Sequence, residues 1–347
     1  MADNLTIKPK ILTKKLLSVL PPKAQDVIKK RFGLEDETGR MTLEAIGQTY
    51  GITRERVRQI ENFAIQSIKK SPMFREFDPV FAELHTHIHS FGHGVAHEDN
   101  FLGHLSADVC TQNHVRFYLV LGDQFERLKE DDDFNHRWVV DQDLSDKVHK
   151  ALSSLHEDLN EDELLSESDI VSRFHGHLRP LVKGIKEDDE ALLRWLALSK
   201  NISQNPMGDW GVATSPSIKI RGMRDLAFLV LRKEGKPLHF ASVAREISKH
   251  FDRPAHVATC HNELIKDERF VLVGRGLYAL SEWGYQRGTV RDIIQAILEK
   301  QGALSKQDIV EHVGKERYVK ESTISVNLQN AKYFKRTPDG RYIISRG

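Results

Sequence analysis

The 347-residue chain has only two cysteines, Cys110 and Cys260, far apart in sequence. Two isolated thiols make neither a disulfide framework nor a zinc-ligand spacing, and suit a reducing compartment. No apolar run is long enough to span a membrane, and the opening Met1-Ala-Asp-Asn lacks the charged and apolar blocks of a secretion signal. We therefore expect a cytoplasmic protein with no membrane partner. A phosphate-cradling Walker loop, a dinucleotide-binding glycine pattern and a nucleophile elbow are also missing, so neither a cofactor nor catalysis is expected. Excess charge is missing too: 51 Lys and Arg stand against 50 Asp and Glu, a net charge of +1. That balance conceals a partition. Residues 1–76 hold 15 basic and 9 acidic side chains, residues 77–220 hold 13 and 26, and residues 221–347 hold 23 and 15. Basic ends favour contact with a polyanion, whereas an acidic middle is repelled by phosphate and suits a spacer or protein-binding role.

The stretch from Thr42 to Glu61 reads as two short helices joined by a tight turn. Leu43, Ile46 and Tyr50 mark the buried side of the first, and Val57, Ile60, Ala64 and Ile68 recur at helical spacing along the second. Gly47 permits close approach of the helices, Gly51 supplies a positive-φ turn residue, and Thr53 is a good N-cap. This is a helix-turn-helix pattern. With the apolar stripe inward, Arg54, Glu55, Arg58, Gln59 and Asn62 form one outward face, joined by Arg56 and by Thr53 at the helix start. Base-reading side chains belong there. The bland alternative is a charged, solvated surface helix.

Upstream, Leu12–Leu20 and Pro22–Phe32 read as two supporting amphipathic helices, with Pro22 in a first turn. Leu17-Ser-Val-Leu-Pro-Pro-Lys-Ala-Gln-Asp-Val-Ile-Lys-Lys-Arg-Phe-Gly-Leu34, Thr42-Leu-Glu-Ala-Ile-Gly47 and Ile52-Thr-Arg-Glu-Arg-Val-Arg-Gln-Ile-Glu61 together resemble region four of the bacterial housekeeping sigma factors. The resemblance covers about fifty residues. It implies that Arg54, Glu55, Arg58 and Gln59 face the bases and phosphates of a −35-like promoter element in double-stranded DNA. It also implies that Arg31 and Lys23 contact the DNA backbone, and that the apolar side of the domain meets the flap of RNA polymerase core. Only some sixteen residues precede the match, and nothing after it resembles the sigma regions that grip the polymerase clamp and melt the promoter. A chain without those regions is expected.

The acidic middle reads as two winged-helix-like modules. The first, 73–141, takes helices at Phe77–His89, Glu98–Leu105 and Asn113–Leu121, and a hairpin of Phe125–Leu128 with Asn135–Val140 around the acidic turn Glu130–Asp133. The second, 142–220, takes helices near Asp143–Leu155, Ser166–His177 and Asp188–Leu198, and a hairpin through Gly208–Gly211. An all-helical spacer is the competing reading. The last third is an internal repeat: Arg224-Asp225, Leu231, Gly235 and Val243 return sixty-seven residues later as Arg291-Asp292, Leu298, Gly302 and Val310. Two copies of one winged helix follow, 221–286 and 287–347. The first, with Pro237-Leu-His-Phe240, Asn262-Glu-Leu-Ile265 and Gly274-Arg-Gly-Leu-Tyr-Ala-Leu-Ser-Glu-Trp-Gly284, resembles the HARE helix-turn-helix family, also found in the delta subunit of bacterial RNA polymerase. That resemblance implies DNA or polymerase contact. Candidates for a secondary nucleic-acid face are Arg253, His256, His261, Lys266 and Arg275 in the first copy, and Lys320, Ser322, Lys332, Lys335 and Arg336 in the second. Each by itself is an ordinary surface residue.

Seven of the seventeen histidines lie between His85 and His114, and the spacing of His85, His87, His89, His93 and His97 invites a metal site. The surrounding period is helical, which scatters the first three rings around an axis, so no metal is expected. The acidic runs Glu130–Asp133 and Glu187–Glu190 read as solvated turns or helix starts. The whole is expected to be mainly α, an array of helix-turn-helix and winged-helix modules with small β-wings and a first domain at 1–72. The expected role is a nucleoid-associated, sigma-like transcription factor. The alternatives are an operator-binding regulator independent of polymerase, a polymerase-bound adaptor and a histidine-metal enzyme.

Overall fold

The structure is a computed structural model that describes residues 5–35, 39–182 and 188–345; Met1–Asn4 and Glu187 of the acidic run lie outside the described residues. The described residues hold sixteen α-helices and only two- and three-stranded antiparallel sheets, a mainly α array of helix-turn-helix modules with small wings. They form two compact units, Met1–Gln204 with Gly208–Thr214 and Asn205–Met207 with Ser215–Gly347.

The first unit starts with α1 (Pro9–Leu17), α2 (Pro22–Phe32), α3 (Leu43–Tyr50) and α4 (Arg54–Lys70). Helix α1 begins three residues before the expected Leu12, because Pro9 fits a first turn whose N–H groups are unpaired anyway. A 3₁₀ turn, Pro72–Phe77, leads into α5 (Asp78–Gly92), β1 (Val95–His97), α6 (Glu98–Leu105), α7 (Val109–Leu121), β2 (Glu126–Leu128) and β3 (Arg137–Val139). The sheet order is β1-β3-β2, with both Val95 and Glu126 opposite Val139. This is the winged-helix order. Helix α7 starts four residues before the expected Asn113, because the Asp108 carboxylate accepts from the amides of Cys110 and Thr111 at 3.2 and 3.1 Å. A similar order recurs in α8 (Gln142–Asp158), α9 (Glu167–Leu178), α10 (Asp189–Leu196), β4 (Ile202–Gln204) and β5 (Trp210–Val212), where a bridge from Leu165 to Trp210 supplies the third strand position.

One apolar core crosses residue 72, the expected end of the first domain. Leu16, Leu17, Leu20, Ala24, Ile28, Phe32, Ala64 and Ile68 share it with Phe77, Leu84, Ile88, Phe101, Phe117 and Tyr118. Helix α7 lies at its centre, and Phe32 of α2 meets Phe117 with ring centroids 4.9 Å apart. Asn113 donates to the carbonyl of Gly33 at 3.0 Å, satisfying a carbonyl beyond the end of α2. Helix α10 docks in turn on α5: the Trp195 indole N–H lies 3.1 Å from the carbonyls of both Gly92 and Val95, and Arg194 donates to that of Phe91 at 2.7 Å.

The second unit contains α11 (Met223–Glu234), β6 (Leu238–His239), α12 (Phe240–Phe251), α13 (Val257–Lys266), β7 (Phe270–Gly274) and β8 (Leu277–Leu280). These are followed by α14 (Val290–Gln301), α15 (Lys306–Glu316), α16 (Glu321–Leu328), β9 (Phe334–Arg336) and β10 (Tyr342–Ile344). The sequence repeat has a physical basis here. Asp225 accepts from the amides of Arg221 and Gly222, and its counterpart Asp292 accepts from that of Thr289, so each aspartate closes the start of its module's first helix.

The His149 ring of α8 lies tilted against Phe134, centroids 4.4 Å apart, and its Nε2 has no partner among the described residues. Burial, reinforced by the positive charge of Arg137, pushes its pKa down to about 4. The unfolded chain should take up this proton near pH 6.5. The folded state therefore gains full stability from a neutral His149 above that pH and loses it progressively down to about pH 4. His149→Phe, which keeps the ring contact, should flatten part of the fall in denaturant midpoint across that window; His89, His97 and His104, shifted the same way, retain the rest. An unchanged slope would contradict this assignment.

Candidate nucleic-acid interface

Helices α2, α3 and α4 pack through Val27, Ile46 and Val57, with Leu43, Tyr50, Ile52 and Ile60 around them. The turn between them depends on two glycines. Gly51 has φ +63°, and a Cβ on Gly47 would lie 2.6 Å from the carbonyl oxygen of Ile52. Thr42 caps α3 by accepting from Ala45 N–H at 3.1 Å, and Thr53 caps α4 by accepting from Arg56 N–H at 3.2 Å. The spacing read from the sequence thus places Thr53, Arg54, Glu55, Arg56, Arg58, Gln59 and Asn62 together along the first turns of α4, with Arg54, Glu55, Arg56, Arg58 and Gln59 exposed.

These side chains are partly organised before any ligand arrives. Arg58 and Glu55 form a two-point pair at 2.8 and 2.7 Å, and Arg56 donates to Gln59 at 3.0 Å. Hydrogen bonding from Arg58 holds the Glu55 carboxyl below the usual range, so it is an acceptor at neutral pH. Arg54 has no hydrogen-bond or ion-pair partner among the described residues, so it is the donor most available to a base edge. Lys23 is exposed and sits 5.4 Å over the Tyr50 ring. Arg31 is committed internally, to Glu61 of α4 at 3.3 Å and the Met41 carbonyl at 3.2 Å, and so braces α4 from behind.

The apolar side of this domain, which the resemblance gave to polymerase, is covered by α5 and α7 in the shared core. The reason is that α7 buries Val115, Phe117, Tyr118, Leu119 and Leu121, leaving a single polar side at Gln112 and Arg116. In the second unit Arg253, His256 and Lys266 are exposed, as is Arg275, but His261 is half-buried and stacks on Phe240 at 4.1 Å. Lys320, Ser322, Lys332, Lys335 and Arg336 are exposed, with Lys332 over the Tyr333 ring. Ile265 on α13 and Val326 on α16 are also open, at 62% and 66% exposure, so these faces mix cations with apolar side chains. The histidines in and just after α5 do not converge on one point: His85 meets His89, His87 meets Glu83, and His93 meets Asp188. Among the described residues the group of three close ligand-type side chains is Glu234, Glu246 and His250, which includes none of them.

Residues 16–70 match the family model Sigma-70, region 4, and residues 221–283 match the HARE-HTH model, a helix-turn-helix domain described as shared with ASXL and restriction endonucleases. The chain joins a sigma-70 region 4 domain to a HARE-HTH domain. Over 55 residues the region 4 domain is 51% identical to RNA polymerase sigma factor SigA1 of Synechococcus elongatus, covering 16% of this chain and 13% of that protein. It is 44% identical to SigA of Clostridium acetobutylicum over 55 residues, covering 16% and 14%. Against the chloroplastic sigF of Arabidopsis thaliana it is 45% identical over 56 residues, covering 16% and 10%. The chain thus spans about a seventh or less of these relatives' length. No helix among the described residues is long and apolar enough to cross a membrane.

Sequence reasoning missed the basic cluster around Glu98, formed by Arg40, Arg116 and Arg127. A loop, a helix and a strand supply these arginines, so no periodicity announces them.

Gly47→Ala should destabilise the protein by about 1–3 kcal/mol, because the overpacked contact is with backbone and outweighs the roughly 1 kcal/mol of helix propensity gained. Gly103→Ala in α6, where a Cβ meets nothing within 4 Å, should gain stability instead. Denaturant melts of both variants check the pair; a Gly47→Ala protein as stable as wild type would remove the close-approach argument.

Proposed function

We propose that the protein is a DNA-binding transcription factor that reads a −35-like promoter element by laying the start of α4 in the major groove. The observation that carries this is the outward face of α4, where Arg54, Glu55, Arg56, Arg58 and Gln59 stand exposed, with Asn62 one turn on, on a helix braced by Arg31. Arg54 and Arg58 fit guanine's paired acceptors, Gln59 fits adenine, and Glu55 can accept from a cytosine amine. The relatives are named RNA polymerase sigma factors, which supports a role in initiation beside polymerase core. It works without catalysis and without a cofactor, on the bacterial nucleoid in the cytoplasm.

A second reading has its own observation. Because α5 and α7 cover the apolar side of the region 4 domain, an operator-binding regulator that does not use that side for polymerase fits the geometry as well. The two readings share the DNA contact and differ in co-purification with core polymerase.

Selection from random duplexes tests the shared part. Arg54→Ala should cost about 1–3 kcal/mol on the preferred site and relax preference at one position. Lys335→Ala, in the last wing, should weaken binding to every sequence alike and make the salt dependence shallower, as expected for a phosphate contact. An unchanged motif and affinity for Arg54→Ala, with an altered motif for Lys335→Ala, would overturn the assignment of α4.

A further inference from the structure

Glu98 begins α6 and is 2% exposed, yet three guanidiniums surround its carboxylate. Arg127 of β2 donates to it at 2.5 and 2.9 Å, Arg116 of α7 donates at 3.0 Å, and Arg40, just ahead of α3, lies 4.0 Å away. Burial alone would raise the Glu98 pKa, but the hydrogen bonds and charges of Arg127 and Arg116 outweigh it and hold the group ionised. One buried carboxylate balances one guanidinium. Among the described residues the other acid paired with these arginines is Asp99, at 3.4 Å from Arg116 and 80% exposed, where solvent weakens its effect. Two of the three arginines are thus poorly compensated, and their mutual repulsion shows at Arg40, whose pKa is lowered by burial and then by Arg116.

The free donors point to what this excess charge is for. Arg116 is spent on Glu98, Asn113 and Asp99. Arg127 spends Nε and Nη2 on Glu98 and keeps Nη1, while Arg40, 43% exposed, makes no side-chain hydrogen bond among the described residues. A cluster that served only to staple the two modules would need a single arginine. The position is informative too. Arg40 lies two residues before the Thr42 cap of α3, and the first helix of a helix-turn-helix crosses the phosphate backbone when the second enters the groove. Arg31 ties the Met41 carbonyl to Glu61 of α4, so the cluster is held in register with the reading helix.

We propose that Arg40 and Arg127, held together by Glu98, bind a backbone phosphate of the duplex and carry the DNA contact from the region 4 domain onto the second module. This rests on the reading of α4 as the DNA-binding helix, and it assigns that module's acidic wing one basic DNA-facing corner. The test uses the full chain and the duplex that wild type selects from a random pool, titrated over a salt series. Arg40→Ala should weaken binding severalfold at low salt, make the slope of log affinity against log salt shallower by about 0.9, and leave the selected motif unchanged. Arg40→Lys should restore most of the slope, because a phosphate contact needs charge rather than a fork. A slope and affinity equal to wild type in Arg40→Ala, with the motif intact, would overturn this inference alone. A wild type that selects no motif would overturn the α4 reading and this inference together. Equal melting midpoints across the variants show that binding, rather than folding, is being read.

Discussion

Tyr118 of α7 is fully buried, and its hydroxyl lies 2.6 Å from the carbonyl of Pro9 and 2.8 Å from the hydroxyl of Thr13. A phenol has one proton to give. Donated to Pro9, it leaves the Tyr118 oxygen to accept from Thr13, and Thr13 in turn to accept from Nδ1–H of His114 at 2.8 Å. That places a proton on Nδ1 of His114 and turns Nε2 towards Cys110 Sγ at 3.7 Å. Burial pushes the Tyr118 pKa well above its ordinary value, which keeps the proton in place. A relay satisfied at every step fixes α1 against α7 in one register, and removing one member strands the others at about 1–3 kcal/mol each. The placement of α2 against α7, and of α4 against α2, follows from that register.

This docking decides which helices can read a nucleic acid. In a winged helix the second helix of the helix-turn-helix is the one free to enter a groove. Here α7 occupies that position in the second module but is buried on nearly every side, and α10 of the third module is held by Trp195 and Arg194 against α5. The two acidic modules therefore spend their reading helices on each other and on the region 4 domain. Within the first unit, α4 keeps an open charged face. The acidic composition of the middle agrees with this, because modules whose helices stay out of the groove can carry charge that phosphate would repel.

The helix-turn-helix was legible in the sequence because every signal in it is local: a period of apolar residues, the Thr53 cap and two glycines within twenty residues. The C-terminal repeat was legible for the same reason, since Asp225 and Asp292 each act on a helix start within four residues. What was hidden depends on long-range partners. Asn113 and His114 look like outward-facing residues of an amphipathic helix, yet they are satisfied by Gly33 and Thr13, 80 and 101 residues away. The continuous core across residue 72 and the sharing of Glu98 by three arginines belong to the same class. Tertiary contact, rather than propensity, sets both.

The central claim is that the start of α4 touches bases while the equivalent helices of the second and third modules do not. The most direct measurement places a photo-crosslinking side chain at Gln59, at Gln112 of α7 or at Glu190 of α10 in otherwise intact protein bound to its selected duplex. Base-resolved cross-links from Gln59 alone are the predicted result. Cross-links to bases from Gln112 or Glu190, with none from Gln59, would contradict the account.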